Sequence, residues 1–208
     1  MKKILFQGDS ITDALRSREL DRYMGGGYAT LVAAQLGHDR PNEFEFINRG
    51  ISGNRITNLI SRIKEDFINL KPDYLSILIG INDVWHEVSR NNGVSSEKYE
   101  RYYNFLIEDI KEALPEIKIM ILEPFVLKGT ATEENWEYFE TETKKRAEAA
   151  KRVAQKNSLV FVPLWDKFIK ALEKAPASYW LADGVHPTAA GHEIIKREWL
   201  STFESLEK

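Results

Sequence analysis

Apolar residues recur along the chain in two alternating rhythms. Short apolar runs at 3–7, 44–48, 74–79, 117–122 and 159–162 read as strands. The third, "YLSILI", and the fourth, "IKIMIL", are nearly unbroken, as expected of parallel strands covered on both faces. Between these runs the pattern turns helical, over 28–36, 56–69, 96–114, 133–157 and 188–206. Thr132 is the expected N-cap of the helix over 133–157. Glu133, Glu134 and Glu137 stand in its first turns, and Lys144, Lys145, Arg146, Lys151 and Arg152 in its later ones, which suits the helix dipole. Trp136, Phe139, Ala147, Ala150, Val153 and Ala154 form its apolar stripe, so its charged face reads as solvated.

Strand and helix alternate over the whole length, which predicts a three-layer α/β/α sandwich around a parallel sheet. No repeat, low-complexity tract or composition break divides residues 1–208, so one domain is expected. "RNNGVSS", 90–96, is the most loop-like insertion.

Composition narrows the function classes. At 43% hydrophobic and 29% charged residues, the chain matches ordinary globular usage and neither disordered nor membrane-spanning classes. A formal charge of −3 lacks the basic excess that a nucleic-acid partner usually leaves. With no cysteine, disulfides, thiolate nucleophiles and Cys-ligated zinc drop out. "MKKILF" starts like a signal peptide, but Gln7-Gly8-Asp9 cuts its apolar region short, and no run reaches transmembrane length. A cytoplasmic protein with no membrane and no nucleic-acid partner is expected; homo-oligomerisation stays open.

The chemistry gathers where the strands end. In open parallel sheets, ligands bind outside the carboxyl ends of the strands. Gly8-Asp9-Ser10 follows the first strand, and "NRGISGN" with Gly50, Ser52, Gly53 and Asn54 follows the second. "GINDVW" with Asn82, Asp83 and Trp85 follows the third, and "LADGVHP" with Asp183 and His186 precedes the last helix. Taken singly, each is an ordinary cap or turn. Together on one rim, they supply a serine, a base, an orienting acid and amide donors, the set that acyl transfer needs.

Rival signals are weaker. His38, His86 and His192 read as structural, because no His-Glu-x-x-His or similar metal spacing occurs. Asp9 and Thr12 match phosphatase nucleophile motifs only in part, since Ile11 stands where a second aspartate is needed. Glycines 25–27 precede a helix but lack both phosphate-binding fingerprints. No metal and no organic cofactor is expected.

"GDSIT", "NRGISGN", "GINDVW" and "DGVHP", in that order, make the chain resemble the SGNH (GDSL) hydrolases, a family of serine esterases and lipases. The resemblance runs from Gly8 to the helix after His186. It implies a flavodoxin-like five-stranded parallel sheet of order 2-1-3-4-5. It implies Ser10 as nucleophile, His186 as base and Asp183 as its orienting acid. It also implies an oxyanion hole from the N–H of Ser10, the N–H of Gly53 and the side-chain amide of Asn82. Asp9 and Ile11-Thr12 set the first block apart from the Gly-x-Ser-x-Gly elbow of α/β-hydrolases.

Within the family, "GISGN" and "GINDVW" are most similar to intracellular carbohydrate acetyl esterases, including those acting on acetylated xylo-oligosaccharides. Those relatives tend to carry tryptophan directly before the triad aspartate; here that place is Ala182, with Trp180 two residues upstream. The expected partner is therefore a small acylated substrate, an acetylated sugar first, with Asp9, Trp85, Tyr179 and Trp180 as expected substrate contacts. Large rings beside the nucleophile would exclude a long acyl tail. Two alternatives stand beside this reading: a lysophospholipase- or thioesterase-type acylhydrolase with a long acyl groove, and a non-catalytic carbohydrate-binding protein on a hydrolase scaffold.

Overall fold

The computed structural model describes residues 1–207. In chain order it contains β1 (Lys2–Gly8), α1 (Ser10–Asp13), α2 (Tyr28–Asp39), β2 (Phe44–Asn48), α3 (Ile56–Ser61), α4 (Ile63–Asp66) and β3 (Tyr74–Leu78). These are followed by α5 (Ile81–Arg90), α6 (Ser96–Ala113), β4 (Lys118–Leu122), α7 (Trp136–Lys156) and β5 (Val160–Val162). The chain closes with α8 (Trp165–Ala171), α9 (Ala177–Trp180) and α10 (Ala189–Leu206). All strand pairs are parallel, in the order β2-β1-β3-β4-β5.

The period-2 alternation of each strand explains the layers. From β1, Ile4 and Phe6 join a core with Tyr28 and Val32 of α2, Phe168 of α8, and Ile195, Trp199 and Phe203 of α10. Leu5 points the other way, into a second core with Leu59 of α3, Leu106, Ile107 and Ile110 of α6, and Val153 of α7. β3, central in the sheet, is buried at all five positions. Its one polar residue, Ser76, accepts a hydrogen bond from Trp199 Nε1 at 2.9 Å, so neither group is left unpaired in the core. Truncating the fully buried Trp199 to alanine would cost about 3–5 kcal/mol.

The five strands appear within a residue or two of their expected places, and the helices less faithfully. The expected helix over 56–69 breaks at Arg62 (φ −120°, ψ 18°). There the guanidinium turns inward to donate to Asn54 Oδ1 and the Arg49 carbonyl at 3.0 and 2.9 Å. Thr132 does not cap the next long helix. Its hydroxyl donates to the Leu127 carbonyl at 2.8 Å and accepts from the Gly129 N–H at 2.9 Å. Residues Glu133–Asn135 form a 3₁₀ turn, and α7 proper starts at Trp136. Nor is the basic face of α7 wholly solvated: Arg146 is 2% exposed and donates to Glu142 and to the Val94 carbonyl. Helices α5 and α8 arise in stretches for which the pattern predicted no element.

Candidate active site

β1 ends in a corner that only glycine fits. Gly8 has φ +155°, and a Cβ there would meet the Leu78 carbonyl at 2.2 Å. Asp9 then caps α1, its Oδ1 accepting from the Ile11 N–H at 3.0 Å. Ser10 opens α1, so its own N–H belongs to the turn whose donors find no intrahelical partner.

The turn before α10 is tied almost entirely to itself. Leu181 and Pro187 form an isolated antiparallel bridge, and the Ala182 N–H donates to the His186 carbonyl at 2.8 Å. Asp183 Oδ1 accepts from the N–H groups of Val185 (2.9 Å) and His186 (2.8 Å). Its other oxygen lies 2.7 Å from His186 Nδ1, and His186 Nε2 lies 3.0 Å from Ser10 Oγ. A proton on Nδ1 bonds the carboxylate and leaves the Nε2 lone pair facing the serine hydroxyl. Burial alone would raise the Asp183 carboxyl, but its bonds from His186 and Val185 prevail and draw it down to about 2. The Asp183 bond raises His186 above its ordinary value, against the opposing pull of burial.

The opposite side is built from the loops after β2 and β3. The Asp13 carboxylate accepts from both the N–H and the hydroxyl of Ser52, at 2.9 and 2.8 Å. Gly53 follows with φ +81° and open space where a side chain would stand. Asn82 and Asp83, in the first turn of α5, reach back to this loop. Asn82 Nδ2 donates to the Asn54 carbonyl at 3.1 Å, which fixes the amide plane and leaves its second N–H to point elsewhere. The Asp83 carboxyl accepts from the Ile56 N–H at 3.2 Å. Asp83 is fully buried, and that burial pushes its carboxyl up to about 8.

Ser10, Ser52 and His186 stand between two cavities. One, of about 410 Å³, adds Gly53, Asn82, Trp85, His86, Ser89 and Arg90. The other, of about 500 Å³, adds the apolar Ile11, Ala14, Leu15, Pro187 and Ala189. The six residues Ser10, Asp183, His186, Gly53, Asn82 and Trp85 thus come together at one sheet edge. Trp85 wedges between Phe139 and His186, with ring centroids 6.1 and 5.8 Å away.

Three expected substrate contacts do not join them. Asp9 is 1% exposed and turns inward as the α1 cap; its burial raises the carboxyl to about 7. Tyr179 and Trp180 line a separate cavity of about 360 Å³, with Lys167, Lys170 and Arg197 but none of Ser10, Asp183 or His186. The reason is register. Leu181 is buried in the core, so Trp180 on α9 faces away, its Nε1 donating to the Ala175 carbonyl at 3.2 Å.

Of the histidines read as structural, His192 is one: its Nδ1 accepts from the Tyr28 N–H at 3.1 Å, and burial pushes it down to about 4. His86 lines the site instead. It stands four residues after Asn82, with Ser89 and Arg90 seven and eight after, one face of α5. The apolar spacing of Ile81, Val84, Trp85 and Val88 carried that signal in the sequence.

A family model described as GDSL-like Lipase/Acylhydrolase matches residues 6–194. An acetylxylan esterase of Geobacillus stearothermophilus is 32% identical over 209 residues, covering 96% of this chain and 92% of that one. A crystal structure from Parabacteroides merdae, described as a GDSL-like lipase, superposes with a TM-score of 0.93 at 35% identity, covering 98% of this chain and 95% of that one. A catalytic mutant of the Geobacillus stearothermophilus esterase, with alanine in place of a serine, superposes with a TM-score of 0.87 at 30% identity. That match covers 97% of this chain and 93% of the mutant.

Proposed function

The chain belongs to the GDSL-like lipase/acylhydrolase family, and from that premise we propose that it removes short acyl groups, acetyl first, from oligosaccharides by an acyl-enzyme mechanism. It is a carboxylic ester hydrolase; the substrate and the residue roles are the proposal. The observation that carries it is the continuous chain from Ser10 Oγ through His186 to Asp183, at 3.0 and 2.7 Å.

In this mechanism Ser10 Oγ attacks the ester carbonyl while His186 Nε2 takes its proton. Asp183, held ionised, stabilises the imidazolium that forms. The carbonyl oxygen becomes an oxyanion facing the Ser10 N–H, the Gly53 N–H and the free N–H of the Asn82 amide. His186 returns the proton to the departing sugar alkoxide. Water, activated by the same imidazole, then releases the acid and restores Ser10. The sugar preference draws support from the esterase relative, and from a 410 Å³ cavity that offers serine hydroxyls, an indole and an imidazole.

Acetate release from acetylated xylan fragments and from peracetylated sugars is the test. The expected outcome is deacetylation of both, abolished in Ser10→Ala; no acetate from either would remove the carbohydrate reading. One observation favours a second reading, an acylhydrolase for longer chains: the apolar cavity of Ile11, Ala14, Leu15 and Pro187 on the other side of Ser10. A tail buried there would gain about 0.8 kcal/mol per CH₂. Rates across acetyl, butyryl, octanoyl and palmitoyl esters separate the two, with a maximum at octanoyl or beyond favouring the second.

A further inference from the structure

The chain carries three more acids than bases, yet no aspartate or glutamate lines the 410 Å³ cavity beside the nucleophile. Its one permanent charge is Arg90, an exposed guanidinium at the last turn of α5. Arg90 makes no ion pair among the described residues. The acid one turn earlier, Glu87, is turned away, accepting from the Gly93 N–H at 2.9 Å. A second guanidinium, Arg55, borders the same region. Its Nη1 donates to the carbonyl and side-chain oxygens of Asn92, at 2.5 and 2.9 Å, and it makes no ion pair among the described residues. His86, between Asn82 and Arg90 on the helix face, is held below its ordinary value by burial and then by Arg90 and Arg55. It therefore adds a neutral hydrogen-bonding edge under a positive rim.

The other cavity differs in kind. Apart from Ser10, Ser52 and two imidazoles, its lining is apolar, and it holds no guanidinium or ammonium. A hydroxyl-rich alcohol fits the first cavity and an alkyl group the second, so the positive rim falls on the side of the departing alcohol.

We propose that the leaving alcohol is anionic: a sugar bearing a carboxylate or phosphate, whose negative charge is received by Arg90 with His86 beside it. This deepens the reading above and rests on it. Arg90 here is a specificity residue. A guanidinium presents paired donors that match either anion, and in so open a site its contribution is modest and salt-dependent. Its benefit goes to the approach and seating of the charged alcohol, and ester cleavage itself stays with Ser10 and His186.

Three sugars that differ only at carbon 6 separate the outcomes: methyl glucoside, methyl glucuronide and methyl glucoside 6-phosphate, each as a competitive inhibitor of p-nitrophenyl acetate hydrolysis. The expected result is inhibition by glucuronide or sugar phosphate roughly three- to tenfold stronger than by the neutral glucoside at low salt. That difference should collapse near about 1 M salt, where screening reaches within about 3 Å. In Arg90→Gln, the ratio of charged to neutral inhibition constants should fall to about 1. Preference for the glucuronide identifies a uronic-acid sugar, and preference for the phosphate identifies a sugar phosphate. Equal inhibition by all three, or a charge preference that survives in Arg90→Gln, overturns the inference. Deacetylation of xylan fragments, run in parallel, reports on the oligosaccharide reading by itself, so the two failures are told apart.

Discussion

The two halves of the site are held together by different means. The half carrying Asp183 and His186 is tied within itself: Asp183 bonds to residues two and three further on, and the Leu181–Pro187 bridge closes the turn. The half carrying Gly53 and Asn82 has no such local frame. Asn82 and Asp83 bond to Asn54 and Ile56 across 28 and 27 residues of sequence, so its geometry exists only once β1, β2 and β3 are paired. Their aspartates also differ in charge. Asp183 is drawn down to about 2 and stays ionised, as a stabiliser of imidazolium must be. Asp83 is pushed up to about 8 by burial, and a neutral carboxyl beside the proposed oxyanion donors avoids repelling the charge they would stabilise. One half tolerates a negative charge because a positive one forms there; the other works by keeping negative charge away.

Breaking the first half should cost most. Ser10→Ala is expected to lower kcat by on the order of 10⁵–10⁶. Its melting temperature should scarcely move, because Ser10 is a half-buried rim residue. Substantial turnover in this variant would remove Ser10 from its role. Next comes Asp183→Asn, with a loss on the order of 10⁴ in kcat. His186 must be neutral to accept a proton, and Asp183 holds its pKa above 6.5. Activity should therefore fall as pH drops through that raised value, and the acid limb of kcat/KM should move to lower pH in Asp183→Asn. An unmoved limb would mean another group titrates there.

The second half should yield smaller but still kinetic losses. Asn82→Ala is expected to lower kcat by about 10²–10³ with KM little changed. A change confined to KM would make Asn82 a ground-state contact. Asp83 sharpens the contrast through stability. Its folded pKa of about 8 lies above the ordinary 3.8, so folding takes up a proton between those values. Stability from this group is thus full below about pH 4, falls as pH rises towards 8, and levels off above. Asp83→Asn keeps an acceptor for the Ile56 N–H but cannot ionise, so it should lose less melting temperature between pH 5 and 9 than the wild type. Parallel curves would sink this reading.

The same contrast governs what the sequence revealed. Asp183-Gly-Val-His186-Pro is legible because the bonds that shape it span two or three residues, within reach of spacing arguments. The alternating runs give a parallel sheet, whereas its order was legible only through the resemblance across the whole chain. Asn82 was legible as a residue but not as part of a helix: Ile81, Val84, Trp85 and Val88 carry helical spacing, but over only ten residues that run straight into the loop-like "RNNGVSS". Missing α5 meant missing His86 and Arg90, which reach the cavity only by helical spacing from Asn82. Burial of Asp9 was hidden too, because a strand-end acid can face the rim or cap the next turn, and the choice is made by Ile11 N–H and the packing of α1. Trp180 misled for a similar reason: proximity in sequence to Asp183 says nothing of which way a short helix turns.

That last case gives the smallest and most discriminating comparison, Trp85→Ala against Trp180→Ala. In the sequence the two tryptophans are alike, each three residues from a proposed site residue, Asn82 or Asp183. In the structure Trp85 contacts the His186 ring at 5.8 Å between centroids and shares its cavity, whereas Trp180 packs with Tyr179 at 4.9 Å and opens elsewhere. Trp85 lines the cavity assigned to the departing alcohol, and of the two tryptophans only it stands beside the nucleophile. Its removal should lower turnover of acetylated sugars and leave the acyl chain-length profile largely in place, because the acyl group faces the other cavity. Trp180→Ala should leave both the acetyl rate and the profile within about twofold of wild type, as expected for a substitution outside the reacting site. Chain-length series on both variants, with melting curves to correct for any loss of folded protein, decide the matter. A profile that moves towards butyryl and longer in Trp85→Ala would exchange the two cavities, at up to about 0.8 kcal/mol per newly buried CH₂, and one that moves in Trp180→Ala would return the acyl wall to the turn before α10.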